Sequence, residues 1–186
     1  MVPLTSLWLP IVLSAVVVFA VSSLIHMVLG YHKNDYRALP AQDEVQDTLR
    51  KFNLPPGDYM LPRAGDMKEM SSPAFIEKMK KGPVMVMTVM PSGSWAMGPQ
   101  LGQWFLYAVI ISAFAAYVTG RTLGHGAEYL SVFRFAGATA FAGYALALPQ
   151  LSIWYKRSWN TTIKTMFDGL VYSLLTGGVF GWLWPN

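Results

Sequence analysis

Four apolar stretches, each about as long as a helix that crosses a bilayer, constrain this chain more than any other feature. They run near Leu7–Leu29, Leu101–Thr119, Phe135–Trp154 and Ile163–Trp184. A hydrocarbon layer roughly 30 Å thick is spanned by about 20 residues of α-helix. With no water at that depth, the backbone must satisfy its own polar groups, which a helix does. The expected fold is an all-α transmembrane bundle of four TM helices with a small α+β cytoplasmic insertion between the first and second. Residues 1–29 form the first helix, 30–100 the extramembrane insertion, and 101–186 a three-helix membrane region (about 101–119, 135–154 and 163–184).

Charged residues make up only 13% of the chain, against roughly 25% in an ordinary soluble domain. The seven tryptophans, Trp8, Trp95, Trp104, Trp154, Trp159, Trp182 and Trp184, gather near the expected helix ends, where amphipathic rings form an interfacial belt. The net charge of +4 is small and segregated, so it reads as membrane topology and excludes nucleic acid as a partner. Cysteine is absent, which rules out disulfides, thiolate zinc sites and cysteine nucleophiles.

The leader Met1–Ser6 lacks the basic residues of a cleavable signal and no small-residue cleavage site follows Leu29, so the first stretch reads as a permanent helix. Its exit carries His32, Lys33 and Arg37, and its entrance no Lys or Arg. Alternation puts the 30–100 loop and the 155–162 turn on one side, with eleven Lys/Arg between them, while the other side has Arg121 and Arg134. Positive-inside bias then makes the loop cytoplasmic and leaves the N- and C-termini outside.

Small residues recur every four positions on two helices: Gly169, Ser173, Gly177 and Gly181 on the fourth, and Ala108, Ser112, Ala116 and Gly120 on the second. Lipid gives helices little hydrophobic reason to associate, so close backbone approach must supply it. Such stripes serve internal bundle packing or a face for self-association or another membrane subunit. Pro149 interrupts the third helix and predicts a kink.

Within 30–100, Asp43 to Phe52 reads as a short amphipathic helix and Asn53 to Asp58 as a turn. Ser72 as cap, Pro73 at the first helical position, Lys78, Lys80 and Lys81 in the last turn and Gly82 beyond them mark a second helix. Val84 to Met90 is a strand closed by Pro91-Ser92-Gly93-Ser94, and Tyr59–Pro62 or a second copy of the chain is its partner. The expected result is a small α+β cap against the membrane face.

Eight of the eleven methionines lie between Met60 and Met97. Thioethers suit Cu(I), and Met67, Met70, Met85 and Met87 have copper-like spacings that His26 and His32 could complete; core filling by Met85 and Met87 on one strand face is the competing reading. His26, Asp168 and Lys164 are the ionisable residues at membrane depth, a functional pointer in themselves. Lys164 lies one helical turn before Asp168 and is its expected ion-pair partner. His125 and Glu128 form a weaker pair, with Arg121 or Arg134 as the expected partners of Glu128. No Walker loop, GxSxG, HExxH or haem-attachment motif occurs.

Ser152-Ile153-Trp154-Tyr155 through Trp159, Lys164, Asp168-Gly169-Leu170 and the ending Gly177 to Pro185, with a Met-Lys-Lys-Gly-Pro turn at Met79–Pro83, resemble uncharacterised bacterial inner-membrane proteins of similar length. Those have one helix, a polar domain and three further helices. The resemblance implies a bacterial inner membrane and carries no activity. Since no set of acid, base, nucleophile and oxyanion donors can be assembled, the expected role is non-catalytic: an accessory, scaffold or assembly subunit in the bilayer. Copper or small-solute handling through the Met-rich loop, and a membrane enzyme using Asp168, Glu128 or His125, are the alternatives.

Overall fold

A computed structural model describes residues 1–93 and 96–186. Ser94 and Trp95, expected in the turn after the strand and in the aromatic belt, lie outside the described residues. The chain divides into a helical unit, residues 1–36 with 96–186, and a smaller unit, residues 37–95.

In the helical unit, α1 (Trp8–Leu24) follows a 3₁₀ turn at Leu4–Leu7 and continues into a π-helical turn, Ile25–Leu29. The smaller unit contributes α2 (Gln42–Arg50), β1 (Gly57–Leu61), α3 (Met67–Met70), α4 (Pro73–Lys81) and β2 (Met85–Val89). The chain then returns to the helical unit as α5 (Gly98–Thr122), α6 (Tyr129–Tyr144), α7 (Pro149–Tyr155) and α8 (Trp159–Trp182). Backbone bonds gather both termini and the α5–α6 connection at one end: Val2 N donates to Gly120 O at 2.8 Å and Gly126 N to Pro185 O at 2.9 Å. The exit of α1 and the start of α8 meet at the other end, where Lys164 Nζ donates to the Tyr31 carbonyl at 2.8 Å.

Three helical segments are long and apolar enough to cross a membrane: Leu4–Leu29, Gly98–Thr122 and Tyr129–Tyr155. Three of the four expected spans meet this length and apolarity, and the fourth, α8, does not. The 24-residue α8 has the length but not the average composition, because its polar residues are numerous and turned inward. Thr161, Thr162, Asp168, Ser173 and Thr176 are buried, while Ile163, Phe167, Leu170 and Leu174 are exposed. The third segment is not one helix either. Residues 145–148 break it and Pro149, which has no N–H to continue the ladder, opens α7. The Tyr107 hydroxyl reaches a carbonyl near the break, donating to Gly143 O at 2.9 Å.

The small residues of α8 lie against α6 and its C-terminal extension. A Cβ at Gly177 would stand 2.7 Å from the Phe133 carbonyl oxygen, at Gly181 2.7 Å from the Tyr129 ring, and at Gly169 2.9 Å from Ala145 Cβ. With α6 seated there, this stripe is not a free face for a second copy or another subunit. Ala108, Ser112, Ala116 and Gly120 are buried on α5, and a Cβ at Gly120 would meet Val2 O at 2.7 Å. Among the tryptophans, Trp8, Trp154, Trp159 and Trp182 are exposed, as a belt requires. Trp104 and Trp184 turn inward instead, donating to Ser22 Oγ at 2.8 Å and Gly124 O at 2.9 Å.

In the smaller unit β1 and β2 pair antiparallel, with Tyr59 opposite Met87 and Leu61 opposite Met85. The Ser72 hydroxyl accepts from Phe75 N at 3.2 Å, Pro73 occupies the first position of α4, and Gly82 ends it at φ 59°. That positive φ favours glycine, which has no Cβ to clash.

Candidate functional site

The exit of α1 builds the site. Its last turn widens to a π-turn, a local distortion common at functional positions, and this turn carries His26. Gly30 follows at φ 63°, reversing the chain, and two tight backbone bonds, Lys33 N to Gly30 O at 3.2 Å and Asp35 N to His32 O at 3.0 Å, close the loop behind it. The reversal lays the His32 ring on the His26 ring, parallel to within 4° with centroids 4.6 Å apart.

Each imidazole is held by its Nδ1. His26 Nδ1 lies 2.9 Å from the Ser22 carbonyl oxygen; a carbonyl only accepts, so Nδ1 carries the hydrogen. His32 Nδ1 donates to Asp35 Oδ2 at 2.6 Å, and His32 Nε2 lies 2.8 Å from Asp168 Oδ2. Asp35, His32 and Asp168 thereby form a short polar chain, with the His26 ring stacked beside it. Ligand atoms of His26, His32 and Asp168 all lie within 4.8 Å of one another. Asp168 is 1% exposed, and its Oδ1 has no hydrogen-bond partner among the described residues.

Lys164 does not pair with Asp168 as expected. Its ammonium reaches the loop, donating to Asp35 Oδ1 at 3.1 Å and to Tyr31 O at 2.8 Å. Side chains on a helix lean toward its N-terminus, which sends the long Lys164 stem to the end of the bundle, whereas Asp168 one turn deeper meets His32. Burial acts to raise the Asp35 carboxyl; the hydrogen bonds and charges of His32 and Lys164 outweigh it and hold Asp35 below its usual 3.8. A carboxyl lowered by folding stabilises the fold above its unfolded value and loses that contribution as pH falls through the lowered one. Thermal stability in micelles should therefore drop more steeply below pH 3.8 in the native chain than in Asp35→Asn. Parallel acid limbs would contradict this.

Beside the cluster lies a cavity of 380 Å³, walled by Ser22, His26, Trp104, Tyr144, Asp168 and Tyr172 among others. Its aromatic wall is continuous: Trp104 and Tyr172 centroids are 5.8 Å apart, and Tyr144 and Tyr172 5.5 Å. The Tyr144 and Tyr172 hydroxyls are buried and, like Asp168 Oδ1, unpartnered.

No family model, curated protein or solved structure matches the chain.

The residues expected to hold copper are divided between the two units. Met67 and Met70 are the ends of the one-turn α3, and Met85 and Met87 lie on β2, in the smaller unit; His26 and His32 belong to the helical unit. There the third group beside the histidines is a carboxylate, Asp168. Asp35, Ser22, Trp104 and Tyr172 were not anticipated as site residues. The available signal for the cluster was the pair His26 and His32 separated by Gly30, which allows a reversal to stack them. At the opposite end, Arg121 does not reach Glu128; its guanidinium lies over the Tyr117 ring, 5.7 Å from the centroid.

Proposed function

We propose that this is a multi-pass protein of a bacterial inner membrane that binds a small amphiphile in its helical unit, with the ligand's polar group at Asp168. In this reading α8 is a fourth span, both termini are outside, and the 30–100 region is cytoplasmic. A helix rises about 1.5 Å per residue, so α8 matches the length of its neighbours. Its exposed Ile163, Phe167, Leu170 and Leu174 supply the lipid-facing stripe that its average composition hides. Lys33, Arg37, Lys156 and Arg157 support the orientation. Because the chain has no cysteine, single cysteines test it cleanly: one at Arg157 should react only with permeant thiol reagents in intact cells, and one at His125 also with impermeant ones. The reverse pattern would invert the topology.

The observation that carries the ligand reading is the unmet polarity of an otherwise apolar cavity. Asp168, Tyr144 and Tyr172 line it, and among the described residues Asp168 Oδ1 and the two tyrosine hydroxyls are buried without partners; each such group costs about 1–3 kcal/mol if left unsatisfied. The volume of 380 Å³ falls in the common range for small-molecule sites, roughly 300–1,000 Å³. An apolar body against Trp104 and the tyrosine rings, with hydrogen-bonding groups toward the hydroxyls and the carboxylate, satisfies all three. We favour this over the accessory or scaffold role, which was expected because the sequence offered no convergent polar groups.

The test is mass spectrometry of small molecules retained by protein purified in detergent from its own membranes. A single amphiphile class near one per chain is expected, reduced about tenfold in Tyr144→Phe/Tyr172→Phe, since about 1.4 kcal/mol of lost hydrogen bonding is a factor of ten. Retention of only bulk phospholipid, unaltered in that variant, would rule the reading out.

A further inference from the structure

We propose that His26, His32 and Asp168 form a binding site for a divalent first-row transition metal such as Zn²⁺ or Fe²⁺, held by the two imidazole Nε2 atoms and the carboxylate. The inference stands on the geometry of the cluster; it shares Asp168 with the ligand reading, and metal binding by protein stripped of small molecules tests it apart from that reading.

Convergence is the first observation. Three donors from positions 26, 32 and 168 have their ligand atoms within 4.8 Å of one another. Two ligands each about 2.1 Å from a tetrahedral metal lie roughly 3.4 Å apart. The 2.8 Å contact between His32 Nε2 and Asp168 Oδ2 therefore has to open by roughly half an ångström, and the widest separation, up to 4.8 Å, has to close by about 1.4 Å. The ion takes the place of the proton that now joins those two atoms, and that proton leaves to solvent.

The second observation is how the ligands are held. Metal-binding histidines almost always donate their other ring N–H to a carbonyl or carboxylate, which sets the tautomer and aims the free nitrogen. Both histidines have this arrangement here: His26 Nδ1 on the Ser22 carbonyl at 2.9 Å and His32 Nδ1 on Asp35 at 2.6 Å. Asp35 is in turn held by Lys164 at 3.1 Å. Hydrogen bonding within an ordinary ion-pair chain accounts for His32 but not for His26, whose ring stacks on His32 with no hydrogen bond to it among the described residues.

The third observation is the carboxylate. Asp168 is almost fully buried, and one of its oxygens has no partner, an arrangement a cation relieves. His26 is exposed and also lines the cavity, so an ion has a route in and a coordination position remains open to a further ligand. Two imidazoles and a carboxylate suit zinc or iron(II) better than copper(I), which prefers thioethers.

The experiment loads the full chain, stripped with chelator and held in detergent, with Co²⁺ as a spectroscopic probe, and then displaces it with Zn²⁺. One Co²⁺ per chain is expected, with the visible absorption of a low-coordinate nitrogen–oxygen site that zinc abolishes. His26→Gln should weaken binding more than tenfold while leaving the unfolding midpoint near that of the native chain, because His26 is exposed. Asp35→Asn, which touches no metal, should weaken it about 10–100-fold. The combined Met67→Ala/Met70→Ala/Met85→Ala/Met87→Ala variant should bind as the native chain does. No stoichiometric Co²⁺, or Co²⁺ binding unaffected by His26→Gln, would overturn the proposal and leave the cluster a proton-bridged ion chain. Loss of binding in the methionine variant would return the site to the smaller unit.

Discussion

Leucine at Gly177 is expected to destabilise the helical unit by about 3 kcal/mol or more, the upper range for overpacking a tight contact. The added Cβ alone would stand 2.7 Å from the Phe133 carbonyl oxygen, 3.1 Å from the Phe133 ring and 3.3 Å from Gly137 Cα. Two of those neighbours are backbone and cannot rotate away, so α6 and α8 must separate. Their separation would also expose the inward polar residues of α8, Ser173 and Thr176 among them. The control is the next residue. A Cβ at Gly178 meets nothing closer than the Tyr129 hydroxyl at 3.8 Å, and Gly178→Ala should be neutral or stabilising by up to about 1 kcal/mol through helix propensity. Unfolding followed by far-UV circular dichroism in detergent micelles separates the two. Equal midpoints for Gly177→Leu and the native chain would mean that α6 and α8 do not pack at this glycine.

His32→Leu should be the most damaging polar substitution. His32 bridges Asp35 and Asp168, whose side chains are only 8% and 2% exposed. Removing one member of a buried charged set leaves the others uncompensated and costs about 3–5 kcal/mol. Lys164 still serves Asp35, but Asp168 loses its only hydrogen-bond donor among the described residues. The double variant His32→Leu/Asp168→Leu removes the orphaned carboxylate as well and should recover part of the loss, because well-packed apolar side chains often replace a buried ion pair at little cost. Urea unfolding of chelator-treated protein tests this. A double variant that loses as much as the two singles added together would show that the residues are not coupled.

In the smaller unit the local signals for α4 and the strand pair were legible, while the one-turn α3 at Met67–Met70 was not expected. Ser72, Pro73 and Gly82 bracket a helix in the sequence, and α4 runs from Pro73 to Lys81. The paired strands Gly57–Leu61 and Met85–Val89 fall within a residue or two of the stretches that their residue types and turns mark out. Capping, turn chemistry and β propensity act over a few residues, so they need no knowledge of the rest of the chain. The same is true of α1 and α5, whose apolar length speaks for itself. The α8 helix was harder to classify because averaging over a helix erases which side each residue faces. Its polar residues are interior and its apolar ones exterior, the reverse of a soluble helix.

The candidate site was only half visible. His26, Lys164 and Asp168 drew attention as ionisable residues near a membrane and His32 as a copper-site candidate, but Lys164 was assigned to Asp168 and the histidines to the loop methionines. Lys164 and Asp168, one turn apart, pair with different residues, and Met67, Met70, Met85 and Met87 lie in the other unit from the histidines. Asp35 links Lys164 to His32.

By itself the sequence determined a chain rich in membrane-length helices, with a short α+β segment interposed, because length, apolarity and caps are properties of contiguous residues. Tertiary structure alone decided which polar groups meet. The π-turn at Ile25–Leu29 and the left-handed Gly30 fold His32 back over His26, and the approach of α1 to α8 brings Asp168 to them across 136 positions of sequence. A contact at that separation depends on loop geometry and helix rotation, and no local pattern of residues encodes either.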